Sequence, residues 1–111
     1  MEKQTGVECL SAEVARGVLT DCLEDGNIVQ GRHFRDELAK EGLSFEDAWY
    51  VLRAGRIIDS PEFDIKSGEW KYIVEGYEPE DKWLAIVFSL KQIDMVFLIT
   101  VYSVESRRRG T

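Results

Sequence analysis

Histidine occurs once in this sequence, cysteine and proline twice each, and no apolar run reaches the roughly 18 residues that a membrane-crossing helix needs. The longest run, Met95 to Tyr102, is interrupted only by Thr100 and has the length of a strand. The opening Met1-Glu2-Lys3-Gln4-Thr5 lacks the charged-then-apolar pattern of a secretory signal. Cys9 and Cys22 form neither a CxxC pair nor a disulfide framework, so the expected compartment is the reducing cytoplasm. Together with His33 they make three metal ligands at irregular spacing, where structural zinc takes four, so neither a metal nor another cofactor is expected. Both cysteines read as small hydrophobic residues. No P-loop, GxGxxG, GxSxG or HExxH is present. Positive charge is also short: the net charge is -7, which argues against wrapping duplex DNA.

What is present suits one compact domain over residues 1–111. The chain is 44% hydrophobic and 11% aromatic, enough for a true core. Its cations are unevenly placed. Apart from Arg16, the arginines fall in 32–56 (Arg32, Arg35, Arg53, Arg56) or in the basic tail 107–111 (Arg107–Arg109), whereas lysines dominate elsewhere. Arginine is the better bidentate phosphate ligand, so an anion site is expected where those groups meet.

The first half reads as helical. Ser11 is an N-cap for a leading helix over 11–24, with Leu10, Val14, Val18 and Cys22 as its apolar stripe beside Leu19 and Leu23, and Gly26 as its left-handed stop. Ile28-Val29 is a short extended piece. A second helix, from about Arg32 to Glu41, buries Phe34, Leu38 and Ala39 and ends at Gly42. Ser44 and Asp47 form an approximate capping box for a third, whose buried side is Ala48, Val51 and Leu52 and which Gly55 closes. The second half reads as strands: Arg56 to Asp59, Trp70 to Gly76, Trp83 to Leu90 and Met95 to Val104. Trp83 to Leu90 is apolar on both faces, as a central strand would be, which places Trp83 in the core. The expected fold is α+β, with N-terminal helices packed on one face of a mainly antiparallel four-stranded sheet.

His33 begins the second helix between Arg32 and Arg35, with Asp36 and Glu37 one turn on to orient its ring. A helix start attracts anions, so His33 is a candidate phosphate-facing acid or base, against the plainer reading of a surface or capping histidine. Arg53 and Arg56 flank the end of the third helix, where a cation also simply answers the negative helix terminus. Trp70, Tyr72, Trp83 and Tyr102 are first of all sheet-packing residues.

The stretch His33-Phe34-Arg35-Asp36-Glu37-Leu38-Ala39-Lys40-Glu41-Gly42-Leu43-Ser44-Phe45-Glu46-Asp47, then Val51-Leu52-Arg53-Ala54-Gly55-Arg56-Ile57-Ile58, Tyr72-Ile73-Val74-Glu75-Gly76-Tyr77 and Leu98-Ile99-Thr100-Val101-Tyr102, resembles the family called domain of unknown function forty-two fifty-eight. The likeness spans about 28–106. That family is grouped with the RelE, BrnT and MqsR toxins of bacterial toxin–antitoxin systems. The resemblance implies a RelE-like α+β fold and a metal-independent endonuclease that cleaves messenger RNA by attack of a 2′-hydroxyl on the neighbouring phosphate. It implies an antitoxin partner of the zinc-ribbon or helix-turn-helix type. His33, Arg53, Arg56 and Tyr102 sit at recognisable motif positions and are the candidate catalytic residues, expected to converge on one groove between the helices and the exposed sheet face. Arg35 and Lys71 are added as candidate substrate-binding cations on chemical grounds alone. Toxins of this class are usually basic, and this chain is acidic. The competing expectation is therefore a non-catalytic protein-binding module on the same fold, or a domain whose RNA chemistry has decayed.

Overall fold

The computed structural model describes residues 8–58, 61–92 and 94–104. Its elements are α1 (Ala12–Asp25), β1 (Ile28–Gln30), α2 (Arg32–Lys40), α3 (Phe45–Ala54), β2 (Arg56–Ile57), β3 (Glu62–Asp64), β4 (Glu69–Tyr77), β5 (Trp83–Gln92) and β6 (Met95–Ser103). The helix boundaries follow local chemistry. Ser11 accepts from the Val14 amide and Gly26 ends α1 at φ 78°. Ser44 and Asp47 cap α3 reciprocally. Among the described residues, no helix is long and apolar enough to cross a membrane.

Among the described residues the sheet has six strands rather than four, in the order β1-β6-β5-β4-β2, with β3 also paired to β4. The antiparallel meander β4-β5-β6 is its centre. Two departures lie at the edges. Ile28-Val29 is a strand, running parallel to β6 with Ile28 opposite Val96. Glu62–Asp64 pairs antiparallel with Lys71 to Glu69. The expected end of the first strand, Asp59, and the basic tail 107–111 lie outside the described residues.

All three helices cover one face. Ala15, Leu19, Cys22 and Leu23 of α1, Phe34 and Leu38 of α2, and Ala48, Val51 and Leu52 of α3 join Tyr72, Val74, Leu84, Ile86, Phe88, Leu90, Val96, Leu98 and Val101 in one core. Three expected details are corrected. The stripe of α1 is rotated, with Ala15 buried and Val14 52% exposed. Ala39 is exposed, and Trp83 is only half-buried. α2 packs on β6, whereas α3 packs on β4 and β5.

Among the described residues, no helix packs on the opposite face. By strand alternation it carries Lys71, Ile73, Glu75 and Tyr77 of β4, Trp83, Ala85, Val87 and Ser89 of β5, and Phe97, Thr100 and Tyr102 of β6. A register shift between Val87 and Phe88, opposite Thr100 and Leu98, keeps both Leu98 and Val101 pointing into the core.

Candidate functional site

The junction from α3 into β2 fixes the site. Gly55 has no room for a side chain: a Cβ there would lie 2.6 Å from the carbonyl oxygens of both Glu75 and Val51. A Cβ on Gly76 would lie 3.0 Å from Gly55 Cα. The two glycines let the end of α3 rest directly on β4. From α1, Arg16 reaches over this junction. Its Nη1 donates to Leu52 O at 2.7 Å and its Nη2 to Gly55 O, so the guanidinium satisfies carbonyls at the end of α3. Partial burial lowers the pKa of Arg16 from its ordinary value.

β2 starts at once with Arg56, which pairs in register with Glu75. Partners in an antiparallel ladder share a face, with Cβ atoms about 4.5–5.5 Å apart. The ladder continues from Glu75 to Ala85 and from Ala85 to Tyr102. Arg56, Glu75, Ala85 and Tyr102 thus form one row across this face, with Ala85 fully buried between the carboxylate and the phenol. Glu75 is only 5% exposed although it lies on this face. Its Oε1 accepts from the Trp83 indole N–H at 2.9 Å, which fixes the carboxylate's direction.

Beside this row is a groove of about 330 Å³ lined by Tyr50, Ala54, Gly55, Arg56, Glu75, Gly76, Tyr77 and Trp83. Its far end is braced by the β4–β5 connection. There the Glu78 carboxylate accepts from the Lys82 amide at 2.9 Å, the Glu78 amide donates to Lys82 O at 2.9 Å, and Asp81 adopts φ 74°.

The sequence-derived candidates are not all brought together. Arg56 lines the groove, and Tyr102 stands on the same row and face. Arg53 is exposed and borders a separate depression with Thr20, Leu23 and Glu24, between α1 and α3. His33 lies at the other edge of the sheet. It follows β1 by three residues, its side chain is 66% exposed, and Nε2 is 3.9 Å from Glu37 Oε2. The far end of α2 approaches the strand ends near Trp83, because Glu41 contacts Lys82 Nζ at 3.8 Å and accepts from Ser103 Oγ at 2.8 Å. At about 1.5 Å per residue, His33 is therefore set back some 12 Å along α2 from that end. Arg35 is exposed on α2. Lys71 lies on the open face, two alternations along β4 from Glu75, and is paired with Asp64 at 3.4 Å.

Glu75 and Trp83 are the residues that sequence reasoning did not select. The available signal was a carboxylate followed by glycine within an apolar strand, which marks a close backbone approach. Among the described residues, no group of three or more His, Cys, Asp or Glu side chains is arranged to hold a metal ion.

Residues 31–103 match the family model described as Domain of unknown function (DUF4258). The match begins at the turn into α2, so α1 and β1 precede it. No curated protein and no solved structure matches the chain.

Proposed function

The chain belongs to the DUF4258 family, and from the groove at its β2 edge we propose a metal-independent, RelE-like ribonuclease that acts as the toxin of a toxin–antitoxin pair. One observation carries the reading: a nearly buried, directionally fixed carboxylate, Glu75, stands opposite Arg56 in a groove large enough for part of an RNA strand. Cleavage of this kind needs a base, a charge stabiliser and an acid. Glu75 removes the proton of a ribose 2′-hydroxyl. The 2′-oxygen bonds to the adjacent phosphorus, and Arg56 stabilises the charge that builds on the phosphorane oxygens. The bond from phosphorus to the 5′-oxygen breaks, and the Tyr102 hydroxyl, across Ala85 from Glu75, protonates the departing oxygen. The products are a 2′,3′-cyclic phosphate and a 5′-hydroxyl. Lys71, on the same face, holds a flanking phosphate. Arg53, His33 and Arg35 stand outside this row.

A second reading draws on the rest of the open face, where Ile73, Val87 and Phe97 are half-exposed among polar neighbours. This is a surface for a protein partner, an antitoxin under the first reading or a different client under a purely binding role.

The test is cleavage of a single-stranded RNA by purified protein, with end-group analysis. Wild type yields 2′,3′-cyclic phosphate ends and leaves an otherwise identical strand with 2′-deoxyribose at the cut site intact. Glu75→Gln keeps the acceptor for Trp83 and slows cleavage by about 10²-fold or more. Cleavage at the wild-type rate by this variant removes Glu75 from the mechanism. Absence of cleavage by wild type, with normal growth on induction in bacteria, leaves the binding role.

A further inference from the structure

A second depression adjoins the groove at the α3–β2 junction, where the start of α1 faces β2. It has a volume of about 440 Å³. Ala54, Gly55 and Arg56 border both hollows. The charged side chains of this trough are Glu13, Arg16 and Arg56. The rest of its lining is small, apart from Ile57, whose side chain belongs to the core. The trough thus offers cations but no deep apolar pocket. That suits a phosphate chain better than a peptide, whose affinity rests on anchored side chains. Arg16 is its distinctive member. The bonds to Leu52 O and Gly55 O fix the guanidinium plane and engage two of its five N–H donors. Among the described residues, no carboxylate stands within ion-pair distance of Arg16 or Arg56. A partly buried cation ordinarily has an anionic partner, because desolvation disfavours its charge. Here burial lowers the Arg16 pKa with no counter-ion to oppose it. Glu13 is exposed in the first turn of α1, where it answers the positive helix end. Two arginines and one glutamate leave the trough a single positive charge, which one phosphodiester neutralises. Arg16 also precedes the matched residues 31–103, so the site draws on a part of the chain that the family model does not include.

We propose that the α1–β2 trough is a phosphate subsite for single-stranded RNA, in which Arg16, with Arg56 beside it, holds the phosphodiester next to the one in the groove. With a net charge of -7 on the chain, a single strand is favoured over a duplex, whose phosphate density is twice as high. That the held phosphate adjoins the cut rests on the ribonuclease reading; the anion site itself does not.

Binding of a fluorescent single-stranded RNA oligonucleotide, methylated at every 2′-oxygen so that it cannot be cut, tests the proposal by anisotropy over a series of salt concentrations. The logarithm of the wild-type affinity falls with the logarithm of salt, with a slope of about −0.7 per phosphate neutralised. Arg16→Gln makes that slope shallower by about 0.7, and Arg16→Lys keeps it. Both substitutions lose the forked contact with the Leu52 and Gly55 carbonyls and lower the melting temperature, so a purely structural role would move both slopes alike. Glu13→Gln leaves Arg16 in place and tightens binding at low salt about two- to fivefold. Lys66→Gln removes an equal charge in the β3–β4 turn, about 20 Å along β4 from the β2 pairing, and leaves the slope unchanged. An equal slope in Arg16→Gln and wild type, no tightening by Glu13→Gln, or no binding by wild type overturns the subsite. Displacement of the oligonucleotide by an oligoglutamate peptide at lower concentration than by unlabelled RNA assigns the trough to an acidic protein segment and likewise overturns it. Cleavage of ordinary RNA with an unchanged slope in Arg16→Gln removes the subsite and leaves the ribonuclease reading. Binding that depends on the Arg16 charge, without cleavage of ordinary RNA, overturns the ribonuclease reading and leaves the subsite standing.

Discussion

At one edge of the sheet, β1 runs through Gly31 into α2; at the other, α3 runs through Gly55 into β2. Neither glycine has room for a side chain. A Cβ on Gly31 would lie 2.8 Å from Leu98 O and from the Phe97 ring, and one on Gly55 would lie 2.6 Å from two backbone oxygens. The joints are alike, yet the polar residues they deliver meet different surroundings. The first presents His33 to solvent, 3.9 Å from the half-buried Glu37 carboxylate. The second sets Arg56 opposite a carboxylate that is 5% exposed and held by an indole. Residue type therefore did not decide where chemistry is plausible; desolvation and fixed direction did, because electrostatic interactions strengthen as water is excluded.

The comparison is broken most severely at the glycines. Gly55→Ala meets two carbonyl oxygens and the Glu75 carbonyl carbon, all backbone atoms that cannot swing away. It should cost about 3 kcal/mol in thermal unfolding and abolish RNA cleavage. Gly31→Ala meets one carbonyl and a ring edge able to yield, and should cost about 1 kcal/mol while the folded protein still cleaves. Equal losses would mean that the two joints are equally rigid.

The next largest effect lies in the delivered side chains. Arg56→Ala should slow cleavage about 10²–10³-fold with little change in melting temperature, since it removes an exposed charge donor. His33→Ala should leave the rate within about threefold and stability within about 0.5 kcal/mol. A large rate loss in the histidine variant would show that RNA spans both edges.

A smaller effect separates the edges from the body between them. Burial, helped by Asp94, Asp21 and Asp25, raises the Cys22 thiol pKa above its ordinary 9.0. Burial likewise raises Tyr72 above 10.0, against the opposing hydrogen bond from the Leu10 amide. The unfolded chain ionises these groups at their ordinary values and the folded chain resists. Their stability contribution is thus complete below about pH 9 and is lost as pH rises through the raised values. Melting temperature should decline above pH 9, and Tyr72→Phe and Cys22→Ala should each flatten that decline. An unchanged slope in both variants would assign the alkaline loss elsewhere.

These differences also mark what the sequence made legible. Ser11, Gly26, and the Ser44–Asp47 pair act on backbone groups within a few residues, so the helix boundaries could be read directly. The α+β class and the antiparallel meander followed from periodicity and short connections. The phase of α1 did not: hydropathy prefers Val14 to Ala15, but tertiary packing buried the smaller residue. β1 and β3 are too short for an alternating pattern, and the partners of β1 lie at the far end of the sequence. Arg56 and Tyr102 were found as residues, and their shared row depends on registers across four strands. Alternation places Glu75 on the face away from the helices, but its burial is a tertiary outcome that no local pattern encodes.

The parallel pairing of β1 with β6 also orders events in time. The strands of the β4-β5-β6 meander are joined by short connections, and closing such loops costs little entropy. β1 has to find an edge that exists only once β6 has settled on β5, so the arm made of α1 and β1 is expected to dock late and detach early. That arm carries Arg16, whose guanidinium holds the carbonyls at the Gly55 junction. A chain could thus have its sheet assembled while the joint that aims Arg56 is still loose, and competence at the groove would arrive with the last piece to fold rather than with the first.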